Sequence, residues 1–308
     1  MDRPVHAPPN VLIVIAHWND ESTTARCLQH IAASEHPSFK TVVVDSGSTD
    51  GSGMRIQARF PWIQLVRIEQ NRGHTVAANA GVSSANLSKH EYTLFLDNDA
   101  YVEKDCLEEL VRALESVHAA GMACPLIFSE RKPGTAWYAG GKTTIFGNAR
   151  NVGMGKAWKG SRSAIVEVDF ATSCVLLVRR IVIERIGMFD ENLSGYSEDF
   201  DFSLRAQRAG FSILFVPDAR ALHGESTNII KVAGKTFRDY YTVRNRLYII
   251  QKYGTLFQRT IGIVCTIISY VLIIGSLHML RGESERTKAL MRGVRDFFHG
   301  RMGWRGTG

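Results

Sequence analysis

The 308-residue chain lacks most of the devices that mark common functional classes. Its five cysteines (Cys27, Cys106, Cys124, Cys174 and Cys265) are odd in number and widely spaced, with no C-x-x-C pair. That pattern argues against a disulfide framework or a zinc site and points to a reducing compartment. Residues 1–10 are polar and Pro-rich, without the apolar core of a signal peptide. No G-x-G-x-x-G follows the first apolar run, which argues against a dinucleotide-binding dehydrogenase, and there is no Walker A sequence. Signatures of DNA or RNA recognition are missing as well. The net charge is +7, and much of the basic excess lies in the last third, from Lys231 to Arg305. This basic third surrounds the most apolar stretch of the chain, so an anionic membrane is the expected partner, not nucleic acid.

What is present is an ordinary folded composition, 45% hydrophobic and 22% charged. Continuous apolar, β-branched runs at 11–16, 41–44, 63–68 and 92–96 read as buried strands. Helical stretches at 21–33, 76–82 and 104–119 alternate with them. An α/β chain with a mostly parallel sheet is expected, with ligands at the carboxyl ends of the strands. Residues 121–125 read as the start of a looser region, and 137–160 as loops and short strands facing substrate. Further strands are expected at 166–170, 174–178 and 211–216, the last stopped by Pro217, with a helix at 179–186.

Two acidic clusters carry the chemistry. The strand at 92–96 ends in Asp97-Asn98-Asp99. Carboxylates at i and i+2 can surround one hard cation, Mn²⁺ or Mg²⁺, although Asp and Asn also form plain turns. The second cluster is Glu198-Asp199-Phe200-Asp201, ahead of a helix expected to begin near Phe200 and close at Gly210. Acids suit a helix N-terminus, and Asp201 with Arg205 is an i,i+4 pair. Three carboxylates in four residues repel one another unless one is tuned, paired or near a cation. His223 follows at a strand exit, where a lone histidine is commonly structural.

In order, the chain carries Asp45-Ser-Gly-Ser-Thr-Asp50-Gly, Asn71-Arg72-Gly73, Asn79-Ala-Gly81, Asp97-Asn98-Asp99, Phe189-Asp-Glu, Glu198-Asp199-Phe-Asp201 with Arg205, and Pro217 ahead of His223. This set resembles a family 2 glycosyltransferase with a GT-A fold, most similar to the bacterial rhamnosyltransferase-like branch, over residues 10–255. The resemblance implies that Asp45 meets the donor's pyrimidine base. Ala16, His17, Trp18 and Asn19 would line the same pocket, with Asn71, Arg72 and Gly73 near the nucleoside. Asp97 and Asp99 would form the D-x-D pair around Asn98, Asp99 ligating Mn²⁺ or Mg²⁺ and Asp97 holding the ribose or the site, with His223 completing the metal shell. Asp199 would be the general base, Glu198 its neighbour, and Asp201 and Arg205 structural. Ser173 stands where the family usually has Gly. The implied reaction inverts the anomeric centre, moving sugar from a dTDP- or UDP-sugar to a glycan or lipid-linked acceptor. A sugar nucleotidyltransferase would want a basic Gly-rich loop after the first strand, and a non-catalytic binding module would not need Asp99, Asp199 and His223 together.

The expected organisation is a catalytic domain at 1–255 and a hydrophobic helix with a basic tail at 256–308. Arg244 or Arg246 would touch a diphosphate or an anionic lipid, or else lie on a solvated helix face. Residues 261–280 are free of formal charge apart from His278, long enough to span a bilayer. Basic residues on both sides give no orientation, so an in-plane helix and a buried packing helix remain open. The tail at 293–308, with Phe297, Phe298 and Trp304 among arginines, suits a membrane interface. The implied location is the cytoplasmic face of a bacterial membrane.

Overall fold

The computed structural model describes residues 8–144, 149–158, 164–225 and 228–306. Residues 1–7 of the polar opening segment and parts of the 137–160 stretch lie outside the described residues. The first half alternates strand and helix: β1 (Val11–His17), α1 (Glu21–Ala32), β2 (Phe39–Ser46), α2 (Ser52–Arg59), β3 (Gln64–Ile68), α3 (His74–Ser83), β4 (Tyr92–Asp97), β5 (Ala100–Val102) and α4 (Cys106–Ser116). Then come β6 (Ala120–Ser129), β7 (Ala136–Tyr138), β8 (Gly141–Thr143), β9 (Ala149–Asn151), β10 (Val166–Glu167), β11 (Val175–Arg179), α5 (Arg180–Ile186), α6 (Glu198–Arg208) and β12 (Ser212–His223). The chain closes with α7 (Asn228–Tyr253), α8 (Leu256–Thr266), a π-helical stretch (Ile267–Ile274), α9 (Gly275–Leu280) and α10 (Ser284–Phe298).

The main sheet runs β10-β12-β6-β11-β4-β1-β2-β3. β4, β1, β2 and β3 are parallel neighbours, β11 is antiparallel to both β4 and β6, and β12 is parallel to β6. Helices cover the central strands, which is why β1 and β2 read as unbroken apolar runs. Register places Ala16 of β1 beside Asp97 of β4, and His17 beside Asp45 of β2. Three strand ends therefore meet at one edge.

Three expectations are corrected. Residues 121–125 do not open a looser region but form part of β6, almost wholly buried over its ten residues. Gly121 fits there because a Cβ would stand 2.5 Å from Val182 Cγ2. Pro217 does not stop its strand: β12 runs twelve residues to His223, with Pro217 inside a break in pairing between Val216 and Arg220. A bulge is where a strand tolerates a residue with no N–H. Helix α6 begins at Glu198, not near Phe200, so all three acids occupy its first turn.

The C-terminal helices form an up-down-up trio. Asp239 meets Arg286, Tyr240 meets Asp296, and Val243 and Leu247 pack with Leu290 and Phe297, so α10 lies parallel to α7. The apolar segment between them returns in the opposite direction. Gly262 packs on Ile250, Thr266 bonds Arg246, and His278 reaches Asp239. Arg244 is fully buried and donates to Asn245 Oδ1, Asn192 O and Gly303 O. It is thus neither a solvated charge nor a ligand contact, and Arg246 spends its Nε on Thr266 Oγ1. The tail folds back onto the catalytic unit: Trp304 packs against Phe237 and Tyr241, and Phe297 is buried while Phe298 is exposed.

Candidate active site

The carboxyl ends of β1, β2 and β4 open into a cleft of about 460 Å³. Ala16, His17 and Trp18 border it from β1, and Asn71 and Gly73 from the loop before α3. Asp97, Asn98 and Asp99 form one wall with His223, and Glu198 and Asp199 enter from α6. Residues named from the chain order thus converge although up to about 200 positions separate them. Some of their side chains are committed elsewhere. The His17 ring bonds Thr24 Oγ1 and Ser52 Oγ, both at 2.8 Å, and Asn98 Nδ2 donates to Thr24 Oγ1. Asn71 Oδ1 accepts from the Gly73 amide and shapes the turn.

Asn19, Asp45 and Arg72 stand outside the residues that border the cleft. Asn19 organises the loop after β2, its amide donating to Ser48 Oγ and its Oδ1 accepting from Thr49 N. Asp45 is 2% exposed and accepts from Ser48 N. Arg72 is exposed and lies 3.9 Å from Glu191 Oε2.

Two neighbours carried no signal in the linear pattern. His74 Nδ1 lies 3.5 Å from Asp97 Oδ1. Cys174 sits where β11 pairs with β4, its carbonyl accepting from the Asp97 amide. Donor atoms of Asp97, Cys174 and His223 all lie within 4.8 Å of one another. His223 Nε2 is 3.3 Å from Asp99 Oδ1, and its ring packs on Trp137 with centroids 4.3 Å apart. Only the β4–β11 register brings Cys174 here, so spacing along the chain gives no hint of it.

The electrostatics favour a cation. Burial raises the Asp97 pKa and neighbouring Asp99 adds to this, while His74 pulls it back. Burial, then Asp199, holds Glu198 well above the usual carboxylate range. Burial raises Asp199 too, against hydrogen bonds from the Phe200 and Ser173 amides. Burial pulls His223 down, but the hydrogen bond and charge of Asp99 outweigh it and the net shift is upward. Burial, with Asp97 and Asp99, keeps the Cys174 thiol protonated. Such a set carries more carboxylate than it can ionise alone. His223 Nδ1 and Glu198 Oε2 are buried without a hydrogen-bond partner. Oxygen and imidazole donors fit a hard or borderline divalent ion.

The α6 acids are aimed by a strained entry. Ser197 holds φ 71°, a left-handed conformation uncommon outside glycine, directly before Glu198. Below them Asp201 is fully buried against Arg205 Nε (2.8 Å) and Lys252 Nζ (2.7 Å), with Tyr253 OH donating at 2.6 Å. Arg205 also donates to the carbonyls of Ile186 and Met188. Asp201 and Arg205 are structural, and they lock the helix that carries Asp199.

A parallel-centred sheet with an acidic cleft at its strand ends defines a GT-A glycosyltransferase, and solved structures of that class share the fold. The S. aureus TarS 1-349 structure in complex with UDP-GlcNAc superposes with a TM-score of 0.61 at 17% identity, covering 94% of this chain and 81% of that one. The mannosyltransferase PcManGT from Pyrobaculum calidifontis, in complex with GDP-Man and Mn²⁺, gives 0.54 at 15% identity over 95% and 88%. The family described as "Glycosyltransferase like family 2" matches residues 8–242, and the chain belongs to it. It is 25% identical over 212 residues to an N-acetylglucosaminyl-diphospho-decaprenol L-rhamnosyltransferase of Mycobacterium tuberculosis (62% of this chain, 68% of the relative). To the dTDP-rhamnosyl transferase RfbF of Shigella flexneri it is 22% identical over 249 residues (79% and 80%). It is 25% identical to the O-antigen biosynthesis protein RfbC of Myxococcus xanthus over 73% of this chain, but spans only 18% of that relative.

Proposed function

We propose that this glycosyltransferase is divalent-metal-dependent and inverting, moving a sugar from a dTDP- or UDP-sugar to a hydroxyl of a glycan or lipid-linked acceptor. Rhamnose is the sugar favoured by the names of its relatives. The observation that carries the reading is the convergence of two acidic groups on one cleft: Asp97 and Asp99 with His223 from the strand ends, and Glu198 and Asp199 from the first turn of α6. Asp199 takes the proton of the attacking acceptor hydroxyl, whose oxygen forms the new bond to the anomeric carbon. The bond from that carbon to the diphosphate breaks, and its electron pair leaves with the diphosphate. Asp97, Asp99 and His223 would hold a divalent ion, which would supply charge to stabilise the leaving diphosphate. Only one base in the right place is required, so displacement in one step with inversion fits the geometry. Glu198 is buried more deeply than Asp199, which favours Asp199 as the group that reaches the acceptor.

Work at the cytoplasmic face of a bacterial membrane is part of the same reading. The apolar helix Leu256–Leu280 has 25 residues, roughly 37 Å at 1.5 Å each. It packs lengthwise against α7 and α10, whose buried Arg244, Asp239 and Asp296 would be costly inside a bilayer. Leu256, Phe257, Leu272, Ile273 and Leu280 are exposed on its other side, whereas Gly262, Thr266, Gly275 and His278 are buried. One face on protein and one bare supports a helix lying in the membrane surface, not crossing it.

A thermal-shift screen of UDP- and dTDP-sugars with and without Mn²⁺ tests the donor, since a ligand for the native state raises its apparent stability. A metal-dependent rise with one nucleotide sugar, followed by transfer with inverted stereochemistry, is the expected result. Stabilisation that ignores both metal and sugar, or transfer with retention, would overturn the reading.

A further inference from the structure

A second pocket, of about 310 Å³, lies between residues 236–241 of α7, the second half of α10 and the tail. Its walls are Phe237, Tyr240, Tyr241 and Trp304, and its charges are Arg292, Arg295, Arg305 and Asp296. Asp296 is 3% exposed and already committed: Tyr240 OH donates to it at 2.9 Å, and Arg295 and Arg301 lie 3.4 and 3.7 Å away. Among the described residues no carboxylate pairs with Arg292 or Arg305. Arg292 lies over the Tyr240 ring at 5.0 Å, and the tail that carries Arg305 is pinned by its amide donating to Tyr241 OH. Two uncompensated guanidinium groups against aromatic walls make a site for a compact anion with several oxygens. The volume is at the lower end for small-molecule sites, roughly 300–1,000 Å³.

Two neighbours say where such an anion comes from. Phe237 borders both this pocket and the catalytic cleft, so the two are adjoining. His278 Nδ1 lies 4.0 Å from Asp239 Oδ2, which brings exposed Leu277, Met279 and Leu280 beside the stretch of α7 that forms the pocket. An apolar face next to the anion site suits a ligand with a hydrocarbon tail.

We infer that this pocket holds the diphosphate of a lipid-anchored acceptor, with its tail along the bare face of the apolar helix and its sugar directed past Phe237 toward Asp199. The inference rests on the glycosyltransferase reading and names the acceptor class. The test uses the full chain in neutral-lipid nanodiscs, with farnesyl diphosphate, inorganic pyrophosphate and phosphatidylglycerol vesicles as probes. Wild type is compared with the double variant Arg292→Gln, Arg305→Gln, whose exposed positions leave the melting temperature unchanged. Farnesyl diphosphate binds wild type more tightly than pyrophosphate does, and the double variant loses roughly tenfold or more of that affinity. Equal affinity for pyrophosphate would make the site one for free phosphate and overturn the lipid assignment. An unchanged farnesyl diphosphate affinity in the variant would overturn the pocket, and so would a loss no greater than that seen on phosphatidylglycerol vesicles. Mn²⁺-dependent UDP binding to wild type is measured in parallel. Its absence would sink the donor-site reading while leaving the pocket's result to stand by itself.

Discussion

Replacing Asp199 by Asn separates chemistry from binding. The amide has nearly the shape of the carboxylate, and its oxygen can still accept from the Phe200 amide, a bond of 2.7 Å in the native protein. What it cannot do at neutral pH is take the acceptor's proton. Loss of a general base costs about 10²–10⁴ in rate, equivalent to roughly 3–5.5 kcal/mol of barrier at 1.36 kcal/mol per decade. The donor wall is built from other elements, so nucleotide-sugar affinity should hold while kcat collapses. Glu198→Gln is the paired control. Both acids titrate above ordinary carboxylates, Glu198 strongly so, chiefly through burial. The ligand-free folded state therefore keeps protons that the unfolded chain has released, and its stability falls as pH rises from the ordinary carboxylate range through the folded pKa. Removing the Glu198 charge should raise the melting temperature at neutral pH and flatten that dependence, while turnover persists. Donor affinity by calorimetry, initial transfer rates and melting curves from pH 4 to 8 on both variants decide the matter. If Asp199→Asn keeps turnover and Glu198→Gln loses it with the fold intact, the base is Glu198 and the assignment is wrong.

Asp99→Ala should abolish the Mn²⁺ dependence of nucleotide affinity; a variant that binds like wild type, with EDTA without effect on either, would remove the metal from the scheme. Asp201→Ala leaves Arg205 and Lys252 facing an empty site, and should lower stability by about 3 kcal/mol, the lower end for a broken buried pair because both partners are partly exposed. Denaturant midpoints measure this, and a change below about 0.5 kcal/mol would show that the network is ornamental. Combined Leu272→Gln, Ile273→Gln and Leu277→Gln should release the protein from vesicles in a flotation assay without lowering its melting temperature, each side chain forfeiting up to about 1.5–3 kcal/mol of burial. Unfolding would instead mean that this face packs against protein.

The central strands were legible because burial on both faces demands unbroken apolar runs, as in β1 and β2. The acid pairs were legible because Asp97, Asp99 and Asp199 sit at element ends, where composition changes abruptly. Other features are tertiary and leave no local trace. Gly121 and Pro125 look like breakers, yet β6 accepts one for close packing and pairs the other against Val216. Cys174 joins Asp97 and His223 only through sheet register. Arg244 reads as an anion contact or a solvated charge, but it is buried and two of its hydrogen bonds are to carbonyls 52 and 59 residues away. No window of sequence reports such partners.

The Asp201 network also bears on how such enzymes can be taken apart and recombined. The family match ends at residue 242, whereas Lys252 and Tyr253, which hold Asp201 in place, lie beyond it. A chimera joined at the edge of the recognisable family region would keep every residue of the cleft and still lose the clamp on the helix that aims Asp199. A functional graft has to carry α7 through Tyr253 together with the cleft, so the unit that can be exchanged between relatives is longer than the unit that sequence similarity outlines.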